Sequence, residues 1–231
     1  MRILLLTGTR LRHFALAEML APHYQLDVVA ETPRQTPVGG PAMAEYYWRM
    51  DAAEAGVFGM VALVDPYLRE ADQCSQLDVV GFGHVGHVQM DLNDIDRVVT
   101  FGCSWIKEPL LGQLVAKGAV NLHMGVAPYY RGTACNFWAA YDGHPEHVGY
   151  TVHKLTAGLD AGPILRAASA PESYDPFERG MRACQAGFAA VLDELASPSV
   201  PTPQDASKLI RYCKAKDFTE EICAAYLGRL G

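Results

Sequence analysis

Nowhere in the 231 residues does an apolar run approach the roughly 20 that a membrane-crossing helix needs, so no membrane partner is expected. The N-terminal run Ile3-Leu4-Leu5-Leu6 meets Thr7-Gly8 at once. It is too short for a secretory signal, and the cytoplasm is the expected compartment. Basic residues are the scarcer charge, 19 Lys and Arg against 26 Asp and Glu, for a formal net charge of -7. An acidic surface argues against nucleic acid, because phosphate contacts supply most of that affinity. No Gly-x-Gly-x-x-Gly follows the first strand, which disfavours a dinucleotide site. Six cysteines are scattered through the chain without a Cys-x-x-Cys, so they are expected to be reduced. His84 and His87 have metal-like spacing, and His144 and His147 flank a turn. No Cys or carboxylate cluster joins either pair, so no metal is expected. No internal repeat is present.

What remains is a chain long enough for one α/β domain with a sizeable core. Arg2 to Thr7 reads as a buried strand broken by Gly8. The helix after it, apolar at Phe14, Leu16, Ala17, Leu20 and Ala21, ends at Pro22, and Leu26 to Ala30 is the next strand. This opening predicts a Rossmann-like, doubly wound, mostly parallel sheet. Thr7-Gly8-Thr9-Arg10 with Arg12 would hold an anion at the helix start, or the two arginines are solvated surface. Thr32 to Pro41 reads as loop. Ala42 to Ala55 is predicted helical, with Tyr46, Tyr47 and Trp48 as core or interface. Leu77 to Phe82 is a further candidate strand.

Arg97 to Phe101 is a strand, Pro109 opens a helix with an apolar face of Leu110, Leu111, Leu114 and Val115, and Gly118 stops it. Ala119 to His123 is then a parallel strand reached by a right-handed crossover. Val120 and Leu122 share one face; Asn121 and His123 share the other, about 6.6 Å apart along the strand. An amide donor beside an imidazole suits acyl transfer: the Asn donates to a developing oxyanion and the His handles a proton or stabilises charge. Thr133 is expected to cap a helix from Ala134 to Tyr141. Val148, Tyr150 and Val152 alternate as a strand should, and a glycine-flanked loop then carries Asp160. Phe177 to Leu195 is predicted helical. Ser197 to Pro203 is a proline-rich linker, and a short helix is expected near the end. These breaks predict a catalytic domain over 1–196 and a short segment, 197–231, packed on it.

Three motifs stand in order: Asn121-Leu-His123, Pro128-Tyr-Tyr-Arg131-Gly132 and Gly158-Leu-Asp160-Ala-Gly162-Pro-Ile164. Together they resemble the folate-dependent formyltransferase family, which includes glycinamide ribonucleotide transformylase, methionyl-tRNA formyltransferase and the sugar N-formyltransferases. Met124 stands where that family usually has Pro. The resemblance implies formyl transfer from 10-formyltetrahydrofolate to a primary amine, with Asn121, His123 and Asp160 catalytic. It implies that Gly102, Cys103, Ser104, Trp105 and Ile106, with Gly158 and Leu159, hold the folate. Arg10, Tyr129, Tyr130 and Arg131 are the candidate substrate contacts. Arg131 alternatively ties its loop to the sheet, and the two tyrosines alternatively pack. Cys103 and Cys135 are taken as packing residues. The N-terminal loop is shorter than in purine-pathway relatives, and little chain follows Leu165 for a tRNA-binding domain. By elimination, a nucleotide-linked amino sugar is the expected acceptor. A formyltetrahydrofolate hydrolase and a silent folate-binding scaffold are the competing readings. A homodimer through the Tyr46 to Trp48 region and the C-terminal segment is a further expectation.

Overall fold

The computed structural model describes residues 1–32, 39–59, 76–81, 83–87 and 90–230. The fold is a mixed α/β one built on a seven-stranded sheet of order β3-β2-β1-β4-β5-β7-β8. These strands are β1 (Arg2–Gly8), β2 (Gln25–Glu31), β3 (Gln76–Val80), β4 (Arg97–Phe101), β5 (Val120–His123), β7 (Gly149–Lys154) and β8 (Ile164–Ser169). A small second sheet pairs β6 (Tyr130–Gly132) with β9 (Arg211–Cys213). The first five strands of the order are parallel. β7 runs antiparallel to β5, and β8 antiparallel to β7.

Both faces of the sheet are covered, which is why β1 is buried along almost its whole length instead of alternating. Ile3, Leu5, Val28, Val99, Leu122 and Val152 pack under helices α1 (Leu11–Leu20) and α5 (Pro176–Ala196). On the other face, Leu4, Leu6, Val29 and Val98 meet Leu110, Leu111 and Leu114 of α3 (Leu110–Ala116). Val115, expected on that apolar face, is 44% exposed, because the short helix turns it to solvent. A third cluster is aromatic. Tyr46 of α2 (Pro41–Phe58) sits among Phe137 of α4 (Cys135–Tyr141), Phe177, Phe218 and Tyr226 of α6 (Glu220–Leu227). Of the aromatic trio on α2, Tyr46 is therefore core, whereas Trp48 is 66% exposed.

Two local expectations change. The cap of α4 is Ala134, in a left-handed conformation (φ 57), and not Thr133. The Thr133 N–H is instead given to Cys213 O, since β9 draws the chain away from the helix start. β6 and β9, three residues each, carry no periodic signal. Phe82, most of the loop before Pro41, and the side chain of His87 lie outside the described residues. Among the described residues, no group of three or more His, Cys, Asp and Glu is placed to hold a metal. Nor is any described helix long and apolar enough to cross a membrane.

The segment after Ala196 is tied to the sheet. Thr202 and Ile164 exchange backbone hydrogen bonds, each 2.7 Å. Arg211 grips Asp142 with two hydrogen bonds of 2.7 Å and lies over the Trp138 ring.

Candidate active site

Strand order reverses between β1 and β4, where a doubly wound sheet opens its crevice at the carboxyl edge. Here His13 fills that crevice. A Cβ on Gly8 would lie 2.5 Å from its ring, and one on Gly102 (φ 68) would collide with its Nε2. Burial, with Arg12 and Arg10 nearby, keeps the His13 pKa well below its ordinary value. The two arginines are occupied as well. Arg10 pairs with Asp51 at 2.7 Å and Arg12 with Glu54 at 3.0 Å, so α2 carboxylates take the place of the expected anion.

One position over, at β4–β5, the polar groups converge. Thr100 Oγ donates to Asn121 Oδ1 at 2.7 Å, which aims the amide nitrogen outward. Antiparallel pairing sets His153 of β7 opposite Asn121 and Thr151 opposite His123. Asn121 Nδ2 lies 3.0 Å from His153 Nε2 and donates to Asp160 Oδ1 at 3.3 Å. His153 Nδ1 sits 2.9 Å from Lys154 O, so that nitrogen carries the proton and Nε2 accepts from Asn121. His123 Nδ1 is 3.4 Å from Asp160 Oδ2, and its Nε2 is 3.2 Å from Tyr130 O. Gly132 N–H donates to Asp160 Oδ2 at 2.9 Å. Asn121, His123 and Asp160 are thus drawn into one network.

Local backbone explains the arrangement. Asp160 sits in the left-handed region (φ 47), a conformation Asp tolerates better than most residues. A Cβ on Gly125 would come within 2.7 Å of Cys135 Cβ and 2.8 Å of His123 Nε2. Only glycine lets the chain after His123 fold back this tightly. Thr151 Oγ pins the same turn, donating to Gly125 O at 2.7 Å and accepting from Ala127 N–H at 2.9 Å. Gly162 closes the Asp160 loop against Lys154 O, where an added Cβ would collide. Gly162→Ala is therefore expected to destabilise the fold by about 1–3 kcal/mol in urea titrations.

Burial works against charge on Asp160. His123, the neighbouring His153 and the Gly132 N–H outweigh it and hold the carboxyl down to about 2. For His123 burial dominates and lowers the imidazole pKa, with Asp160 opposing. The resting pair is a carboxylate facing a neutral imidazole. A neutral imidazole has one N–H, yet protein acceptors face both of its nitrogens. An added proton would complete that set.

The other expected site residues fall in several places. Gly102, Cys103, Ser104, Trp105 and Ile106 leave the carboxyl end of β4. Ile106 is buried, Trp105 is 64% exposed, and Ser104 bonds Glu31 through N–H (2.6 Å) and Oγ (2.9 Å). Burial, then Glu31, pushes the Cys103 thiol up to about 12, and burial raises Cys135 as well, so neither is a ready nucleophile. Gly158 and Leu159 lead into Asp160. Tyr129 stacks on His147 at 3.9 Å. The Tyr130 ring is fully buried with its hydroxyl toward Asp142, so only its backbone carbonyl reaches the site; of its two expected roles the ring takes packing and not the pocket wall. Arg131 Nη2 donates to Gln204 at 2.8 Å, the loop tie rather than a free cation. Sequence reasoning passed over His153, Gly132 N–H and Gln204. Of these, His153 left a trace: it alternates with Val152, on the face of Thr151.

Residues 88–172 match the formyl transferase family model. The matched segment spans 85 of the chain's 231 residues. It carries Asn121, His123, His153 and Asp160. Methionyl-tRNA formyltransferase from Synechococcus is 31% identical to this chain over 123 residues, 50% of this chain and 37% of that protein. The match thus spans little more than a third of the relative's own length. A sugar N-formyltransferase from Shewanella shares the fold, with a TM-score of 0.60 at 15% identity, covering 94% of this chain and 78% of that one. So does an N-formyltransferase from Helicobacter canadensis, solved with folinic acid and dTDP-3-aminofucose: TM-score 0.57, 13% identity, 94% and 72% coverage. This chain and the two solved structures share one fold.

Proposed function

We infer that the chain transfers a formyl group from 10-formyltetrahydrofolate to a primary amine of a small substrate, a nucleotide-linked amino sugar. The observation that carries this reading is the Asn121–Asp160–His123 network at the carboxyl edge of β4 and β5. The folate supplies the formyl carbon. Trp105 offers an exposed aromatic face for a planar ring, beside a Gly102 backbone with no side chain of its own. Among acceptors, the neutralised Arg10 and Arg12 speak against anchoring a phosphate beyond β1. The sugar-nucleotide of the Helicobacter canadensis neighbour supplies the acceptor class.

Asn121 turns its Nδ2–H from Asp160 to the oxyanion that forms as the amine attacks. Asp160 Oδ1, released from Asn121, accepts the proton that the amine sheds. The carboxyl then turns about its Cβ–Cγ bond, and the same oxygen passes that proton to His123 Nδ1. The imidazolium then donates through both nitrogens, to Asp160 and to Tyr130 O. In the second half the same relay returns a proton to the leaving nitrogen.

The resting enzyme must hold a neutral His123 and meet a neutral amine. Log kcat/KM is expected to fall with slope one below the acceptor amine's pKa, and with slope two once His123 also protonates, below pH 6.5. A plateau between the two pKa values, followed by a fall of slope one below that of His123, would assign His123 a cationic role instead. The direct test incubates the protein with 10-formyltetrahydrofolate and a panel of nucleotide-linked amino sugars, following formamide by mass spectrometry. Formate release without any amine would indicate a hydrolase, and folate binding without turnover a silent scaffold.

A further inference from the structure

We propose that Gln204, carried by the segment beyond the proline-rich stretch, is a positioning residue that sets the Asp160 carboxylate. Its Nε2 donates to Asp160 O at 2.9 Å and to Gly162 O at 2.7 Å, while its Oε1 accepts from Arg131 Nη2 at 2.8 Å. One amide thus ties the Asp160 loop to β6. β6 supplies the Gly132 N–H that meets Asp160 Oδ2 and the Tyr130 carbonyl that meets His123. β6 is in turn held by β9 of the same C-terminal segment, with Gly132 paired to Cys213. A left-handed, non-glycine backbone such as that of Asp160 persists only when its surroundings fix it. Gln204 bonds the carbonyls on either side of Ala161 and so supplies that fixing. The segment after Ala196 is on this view a working part of the catalytic unit.

The proposal rests on the formyl-transfer reading for its kinetic arm only; imidazole titration tests it independently. Two variants separate the roles of the side chain. Gln204→Met removes all three hydrogen bonds without adding charge. Gln204→Glu keeps an acceptor for Arg131 but turns its second oxygen toward two carbonyls. Both are expected to lower kcat about tenfold to a hundredfold, with the KM for folate within about threefold. In Gln204→Met, carbon-13 NMR of the imidazoles is expected to show the His123 midpoint moving to lower pH, because the opposing carboxylate has drifted. Asp205→Ala, next door and exposed, is expected to leave both readouts unchanged. The proposal is overturned if Gln204→Glu matches wild type, since anchoring Arg131 would then be the whole role. It is equally overturned if Gln204→Met leaves the His123 midpoint where it was, whatever happens to the rate. If the wild-type protein formylates no amine, the function fails, and the His123 titration still decides the role of Gln204.

Discussion

Asp160→Asn is expected to lower kcat by about a thousandfold while the protein still folds, the size set by loss of a positioned proton carrier. The substituted side chain keeps an oxygen for Gly132 N–H but loses the charge. Whichever way the amide turns, an NH2 then faces either Asn121 Nδ2, itself a donor, or Gly132 N–H. Single-turnover formyl transfer in rapid quench reads the chemical step, and near-wild-type transfer would remove Asp160 from the mechanism. The same change carries a stability signature. The Asp160 carboxyl is depressed from 3.8 to about 2 in the folded chain. A depressed carboxyl stabilises the fold above its unfolded pKa, and that contribution is lost as the pH falls through the folded value. The Asp160 contribution is about 2 kcal/mol, complete above about pH 4 and gone below about pH 2. The urea-stability difference between wild type and variant should therefore shrink across that window.

Asn121→Ala is expected to cut kcat by about a hundredfold to a thousandfold, the usual effect of removing one oxyanion donor from a water-poor site. The KM for folate should move little, because the lost contact belongs to the transition state. Thr100 Oγ and His153 Nε2 would each lose a partner, at a cost of about 1–3 kcal/mol for each buried group left unsatisfied. Circular dichroism on heating separates that loss from the catalytic one. A folded variant with wild-type kcat would show that the oxyanion is stabilised elsewhere.

The parts of the site that were legible in the sequence are those written in local pattern. Asn121 and His123 are two apart on a strand, so alternation alone places them together. The buried runs of β1 and β2, with a helix between, predict parallel strands covered on both faces. The aromatic trio on α2 was only half resolved, since helix spacing says that Tyr46 and Trp48 diverge but not which one is buried. Register is a different matter. His153 reaches Asn121 only because β7 runs antiparallel to β5, and nothing within either strand states that pairing. β6 and β9 are too short to show a period, so the support they give Asp160 was hidden. Gln204 stands beyond a run of prolines that reads as linker, although that run returns to the sheet through Thr202 and Ile164. The side chain of Tyr130 turned inward because Asp142 and the aromatic cluster lie behind it, a contact that depends on α4 folding over β6.

Glu31 has a consequence for how a ligand enters. This carboxylate is buried at the tip of β2 and accepts three hydrogen bonds, from Val85 N–H, Ser104 N–H and Ser104 Oγ. Two separate stretches of chain are therefore bolted to a side chain of a third. On the folate-binding reading proposed above, the stretch following β4 would act as a stiff jamb of the doorway and not as a swinging flap. A ring docking there would then meet a frame already built, and selectivity on that side would come from its fixed outline.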